Sequence, residues 1–301
     1  MLHGWIILDK PVGLGSTTAV SAVKRILREA GESRTKVGHG GTLDPLASGV
    51  LPVALGEATK LAGKMLDATK AYDFTIRFGE ESDTLDREGQ VVATSHARPT
   101  REQIDAVLPR FTGEIEQVPP AYSALKIGGK AAYERARAGE QVKLEARAVT
   151  IHSLSGRHPR ESGNDEKLDE ITLSATVSKG TYIRSLARDI AQALRTVGQV
   201  SYLRRTRAGP FSLESAISLD FLEEAAKARA LTRTVLPLTA ALDDIPALPV
   251  TPGQAQLLRH GQRLAGFPAQ PGLRLAMLEA TPVALVEASA DGLRVVRGFN
   301  L

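Results

Sequence analysis

Hydrophobic and polar positions alternate along this chain with two distinct periods. Tyr72, Phe74, Ile76 and Phe78 interleave with Asp73, Thr75 and Arg77, a period of two that predicts a half-buried antiparallel strand. Val20, Val23, Ile26, Leu27 and Ala30 recur instead at helical spacing, behind Ser16 or Thr17 as candidate caps. Thr100 and Gln103 form a capping-box pair for a helix through Leu108, and Thr181 is placed to cap another reaching about Leu194. Apolar runs predict strands over 4–9, 51–55, 113–118, 121–127, 141–154 and 171–179, with helices over 60–68, 130–138 and 219–230. Strands run in pairs as well as alternating with single helices. The predicted class is therefore α+β with a mixed or antiparallel sheet, not a doubly wound parallel one.

Two stretches break the pattern. Between Gly31 and Gly49 no period holds, and Gly38, Gly40, Gly41 and Gly49 surround His39 and Asp44, which predicts an irregular loop with close backbone approach. Pro237, Pro246, Pro249 and Pro252 mark a linker, after which short alternating runs predict a small β-rich appendage. The expected division is 1–243 and 244–301. All five tyrosines precede the linker, so the aromatic surface for stacking on a base lies in the larger part.

Composition narrows the chemistry. With no cysteine among 301 residues, disulfide frameworks, thiolate metal sites and cysteine nucleophiles are excluded, which fits a reducing compartment. No run approaches 18 uncharged apolar residues, so a soluble cytoplasmic protein is expected. The net charge of +4 points only weakly to nucleic acid, but from Lys179 to Arg207 seven basic residues meet the single acid Asp189. Such a segment calls for a polyanion or water. The acidic block Glu161–Glu170 reads as a solvated hairpin loop. Gly13, Gly15 and Thr18 miss the last glycine of a dinucleotide fingerprint, and Ala131 follows Lys130 where a phosphate-binding loop needs Ser or Thr. The six histidines lack metal-ligand spacing. Pro45 biases Asp44 toward an extended conformation, and the residues alone admit either a carboxylate held for chemistry or an Asx turn.

The string GHGGTLDPLASGVLPVALGEATK, Gly38 to Lys60, resembles the catalytic signature of the TruB family, the bacterial tRNA pseudouridine-55 synthases. Further resemblances follow in order: LDKP at Leu8–Pro11, KAYDFTIRFG at Lys70–Gly79 with SDTLDREG after it, QVPPAYSALKIGGKAAYERARAG at Gln117–Gly139, SKGTYIRSLARD at Ser178–Asp189 and SYLRRTRAGPF at Ser201–Phe211. The resemblance implies an isomerase of pseudouridine-synthase fold that breaks the N1–C1′ bond of a uridine and joins C5 to C1′, with no metal or cofactor. It further implies Asp44 as the catalytic aspartate, Arg184 as its ionic partner, and Tyr72 as stacking group and candidate acceptor of the C5 proton. Tyr182 and Leu203 match pocket-lining positions, and Lys10 with Pro11 a motif supporting the loop. His39 matches the residue that fills the space left by an extruded uridine. Lys126, Lys130, Arg204 and Arg205 become candidates for tRNA phosphates. The tail, around His260 and Gly261, resembles a PUA-like domain. The implied partner is the T arm of tRNA, met by a monomer without guide RNA; a synthase of a guide-RNA particle and an RNA chaperone are the rival readings.

Overall fold

The computed structural model describes residues 1–140, 142–157 and 167–301. Most of the acidic block at 161–170 lies outside them. In chain order the strands are β1 (Gly4–Lys10), β2 (Val37–His39), β3 (Ala47–Leu55), β4 (Lys70–Phe78), a short hairpin of β5 (Glu80–Ser82) and β6 (Val91–Thr94), and β7 (Gly113–Gln117). A second small hairpin, β8 (Lys126–Ile127) with β9 (Lys130–Ala131), precedes β10 (Arg147–Gly156), β11 (Glu170–Val177), β12 (Gly198–Ala208) and β13 (Phe211–Ser212). Then come β14 (Ala247–Pro249), β15 (Leu264–Ala265), β16 (Gly272–Leu278), β17 (Thr281–Ser289) and β18 (Gly292–Gly298). The helices are α1 (Ser16–Glu29), α2 (Ala62–Asp67), α3 (Arg101–Val107), α4 (Ala132–Arg137), α5 (Ile183–Ala193), α6 (Leu219–Lys227) and α7 (Pro252–Arg259).

Among the described residues, one sheet has the order β1-β3-β12-β4-β11-β10-β7, with β2 added on β3 and β13 on β12. Its pairings are antiparallel except β3 with β12, which makes it mixed. The alternation read at 72–78 is the central strand β4. Phe74, Ile76 and Phe78 go into a core with Ile6, Leu8, Val23, Ile26, Leu27, Leu186 and Ile190, so α1 and α5 cover this face of the sheet. Burying each such side chain contributes roughly 1.5–3 kcal/mol, which is what ties the helices down. The other face presents Trp5, Ile7, Val50 and Phe211, whose cluster includes Leu275 and Leu285 of the second sheet, order β14-β16-β17-β18-β15, and Phe299 just after β18. The C-terminal sheet therefore packs on the back of the large one. No described helix is long and apolar enough to cross a membrane.

Several local expectations are corrected. The run 121–127 is a strand only at its last two residues, because the carbonyls of Ser123 and Leu125 accept from Tyr133 and Ala132 at the start of α4 instead of entering a ladder. The strand expected from 141 starts at Arg147. Gly15, not Ser16 or Thr17, caps α1, and Tyr182, not Thr181, sits at the cap of α5. In each case the serine or threonine hydroxyl is drawn elsewhere: Ser16 to Leu43, Thr181 to the Ser178 carbonyl. The box of Thr100 and Gln103 is present on α3.

Candidate active site

Asp44 lies in the loop between β2 and β3, and every neighbour of it is pinned. One hydroxyl, Ser16 Oγ, donates to the Leu43 carbonyl at 2.9 Å and accepts from the Leu43 N–H at 2.8 Å. The Pro45 carbonyl accepts from Gly13 N–H and from Lys10 Nζ. Lys10, 0% exposed, also donates to the carbonyls of Pro11 and Leu14 at 2.9 and 2.6 Å, so its ammonium ties the β1 exit to the loop. Burial depresses the Lys10 amine to about 8, against the attraction of Asp44. Gly41 and Thr42 are held by Arg205, whose Nη2 and Nη1 each donate at 3.2 Å to their carbonyls while Nε reaches Val50 O at 2.7 Å.

The sheet brings distant residues to this loop through its register. Leu203 on β12 stands between Ala47 of β3 and Phe74 of β4; two residues on, Arg205 stands between Gly49 and Tyr72. A β-bulge between Arg205 and Arg207 re-aims the strand beside the loop. Gly49 permits the close approach: its φ is 102°, and a Cβ there would meet the Arg205 carbonyl oxygen at 2.2 Å. Asp44, Tyr72, Tyr182, Leu203 and Arg184 consequently line one cleft of about 1080 Å³. Leu203 also belongs to the core.

Arg184 enters from the first turn of α5, where the helix dipole disfavours a cation, so it must be held by other groups. Its side chain is 6% exposed, and Nε lies 2.9 Å from Asp44 Oδ2. This is an ion contact and not an aligned hydrogen bond, and the two-bond carboxylate fork that a guanidinium permits is absent. The other nitrogens are taken: Nη1 donates to Thr84 O at 2.8 Å and sits 3.4 Å from Asp86 Oδ2, and Nη2 donates to Tyr122 O at 3.0 Å. Between Thr84 and Asp86, Leu85 adopts φ 62°, a costly conformation that turns the carbonyl before it and the carboxylate after it to one guanidinium. Asp44 itself keeps 37% of its side chain exposed to the cleft. Desolvation pushes its carboxyl above the ordinary aspartate value; Arg184 is the largest opposing influence, Asp86 adds to the push, and Lys10 resists it.

Tyr182 is fixed by a two-way amide contact, its N–H donating to Gln117 Oε1 at 2.8 Å and its carbonyl accepting from Gln117 Nε2 at 3.2 Å. The Arg147 guanidinium lies 5.0 Å from its ring centroid. His39 is not among the cleft-lining residues; it ends β2, and its Nδ1 accepts from Gly41 N–H at 3.4 Å. Burial and Arg205 hold its imidazole below the ordinary histidine value. Lys126 and Lys130 are exposed on the β8–β9 hairpin, beside cleft-lining Tyr122, Leu125 and Tyr133.

One expected phosphate contact is corrected. Arg205 is 1% exposed and spends its donors on three carbonyls, so it is a clamp inside the fold. Arg204 pairs with Asp9 at 2.8 Å and reaches Ser48 Oγ, and it stays partly exposed. The basic segment 179–207 is largely neutralised from within, since Lys179 meets Asp67, Arg184 meets Asp44 and Arg188 meets Asp189 as well. Sequence counting saw the charges but not their partners, which lie up to 195 residues away. Asp86, Gln117 and Arg147 were not singled out. Asp86 and Gln117 stand within the SDTLDREG and QVPPAYSALK blocks, and that position was the available signal.

Comparison with known proteins places this geometry. Residues 24–183 match the model of the TruB family pseudouridylate synthase N-terminal domain, and residues 184–243 that of the tRNA pseudouridylate synthase B C-terminal domain. Over 299 residues the chain is 60% identical to tRNA pseudouridine synthase B of Zymomonas mobilis, covering 99% of this chain and 96% of that one. It is 57% identical over 301 residues to the protein of that name from Novosphingobium aromaticivorans, covering 100% and 98%. Among solved structures, an H/ACA RNP bound to a substrate RNA containing 2′-deoxyuridine superposes with a TM-score of 0.74 at 26% identity, covering 99% of this chain and 86% of the other. A Cbf5-Nop10-Gar1 complex gives 0.71 at 28%, covering 98% and 84%.

Proposed function

Because the chain belongs to the TruB family of pseudouridylate synthases, we propose that it converts the T-loop uridine at tRNA position 55 to pseudouridine, with Asp44 as the catalytic nucleophile. The observation that carries this reading is one carboxylate, 37% exposed in a cleft and 2.9 Å from a buried guanidinium. The reaction cleaves N1–C1′, turns the uracil and forms C5–C1′; the C5 proton leaves, N1 ends protonated, and no oxidation state changes. An anionic oxygen is needed whether it adds to the base or to C1′, and Arg184 favours that anion against the desolvation that opposes it. Tyr72 offers a ring face for the uracil and a hydroxyl for the C5 proton, with Tyr182 and Leu203 walling the base.

A stacked uridine cannot enter such a cleft, so the target nucleotide is extruded at a cost of a few kcal/mol. His39, beside Gly41 at the cleft edge, takes the vacated stacking position. Lys126 and Lys130 meet T-arm phosphates. The synthase unit is residues 1–243 and the PUA-like unit 244–301. The protein acts in the cytoplasm as a monomer, without guide RNA.

The test is a pseudouridine map of tRNA from cells lacking this protein and then regaining it. Loss at one T-loop position, restored by the wild type and not by Asp44→Asn, is expected. An unchanged map ends the proposal. Turnover of a bare T-arm stem-loop by purified protein separates this reading from a guide-RNA particle, and tRNA folding that ignores Asp44→Asn marks a chaperone contribution.

A further inference from the structure

Part of this chain's cationic charge is already engaged. Lys60, Lys64, Arg98, Arg101, Arg135, Arg157, Lys179, Arg184, Arg188, Arg204 and Arg263 all lie against carboxylates of the same chain. Lys24, Arg28, Arg34 and Lys36 are among the cations left free: each is exposed, and none has an acidic partner among the described residues. They converge on one groove of about 790 Å³ between the C-terminal half of α1 and the segment leading into β2. The acids nearby are spoken for, since Glu29 and Glu223 hold Arg25 and Glu32 holds the N-terminal ammonium. The groove thus keeps a concentrated positive field that the fold does not cancel.

Its position ties it to the cleft. Thr17 at the start of α1 lines the cleft and Arg28 lines the groove, 11 residues or about 16 Å along the same helix. Gly38 of β2 lines the groove, and Gly41, three residues on, lines the cleft. A ligand in the cleft that is large enough to follow α1 reaches these four cations. An exposed row of flexible ammonium and guanidinium groups in a wide groove suits phosphodiester oxygens and carries no base-reading geometry.

Resting on the function proposed above, we infer that this groove is a second RNA-binding surface, holding the phosphate backbone of the part of a folded tRNA that lies outside the target arm. The test compares full-length tRNA with the isolated T-arm stem-loop, using wild type and the combined Lys24→Gln, Arg28→Gln, Arg34→Gln and Lys36→Gln variant. Expected are a rise of about tenfold or more in the variant's Kd and KM for full-length tRNA with kcat unchanged, and a log–log salt slope shallower by about 3 to 3.5, at roughly 0.7–0.9 for each of four phosphates no longer neutralised. Stem-loop binding and turnover should not move, which also certifies the fold. Unchanged full-length binding overturns the proposal and assigns the groove to something other than RNA. Equal loss on both substrates overturns it too, because the groove would then serve the target arm or the fold. Binding is read apart from turnover, so a wild type that binds tRNA through the groove yet makes no pseudouridine would retire the proposed function and keep the second surface.

Discussion

Replacing Arg205 by Met distinguishes a clamp inside the fold from a phosphate contact on its surface. The variant removes one charged donor set from three carbonyls, at 2.7, 3.2 and 3.2 Å, in a residue 1% exposed. Charged hydrogen bonds contribute about 1.5–3 kcal/mol each, and the guanidinium's own desolvation, relieved in the variant, offsets part of their sum. A net loss of about 3 kcal/mol follows, a sizeable part of the roughly 5–15 kcal/mol that holds a domain folded. At about 2–4 °C per kcal/mol for a chain of this class, the midpoint should fall by about 6–12 °C. The assay pairs a thermal or urea melt with single-turnover kinetics on T-arm RNA. Because Gly41 and Thr42 lose their anchors next to Asp44, kcat should fall more than KM rises. Arg205→Lys should recover part of the stability, since its ammonium keeps the charge but cannot span all three carbonyls. A variant with wild-type melting, weaker RNA binding and a salt slope shallower by about one would refute the clamp and restore Arg205 as a phosphate ligand.

Gly49→Ala should fail to fold or melt far below wild type, because its Cβ would sit 2.2 Å from a β12 carbonyl at φ 102°; a melt within about 1 kcal/mol of wild type would show that β3 and β12 can separate. Turnover should fall on acidification at a pH above that of an ordinary aspartate, since the raised Asp44 carboxyl must be ionised. Arg184→Met removes the largest influence opposing that rise and should move the acid limb further up, whereas Asp86→Asn removes a like charge and should move it down; pH profiles of single-turnover rates check both. An acid whose folded pKa is raised makes the fold more stable as pH falls through that pKa. Asp44→Asn should therefore melt no lower than wild type at neutral pH, and a clear drop in its melting point would contradict the sign.

Legibility in the sequence followed the range of the interactions. The β4 alternation, the α3 capping box and the β16, β17 and β18 runs depend on residues a few positions apart, and the structure has them. Caps were misplaced where a distant group competed for the hydroxyl: Ser16 serves Leu43, 27 residues away, instead of its own helix. The cleft required β12 to lie between β3 and β4, a pairing no local pattern encodes, and the family blocks stood in for it. Net charge misled most. Arg204 and Arg205 look alike as neighbours on β12, yet opposite faces of one strand give the first an aspartate of β1 and the second a set of buried carbonyls.

The central claim, that the Asp44 carboxylate performs the chemistry on a nucleotide lodged in this cleft, is tested most directly by tritium release from T-arm RNA carrying 5-tritiated uridine at the target. Wild type and Asp44→Asn are compared in single turnover, with binding measured on the same RNA. The account predicts binding within a fewfold of wild type and no release above the uncatalysed rate; release by Asp44→Asn at a rate near that of wild type would contradict it.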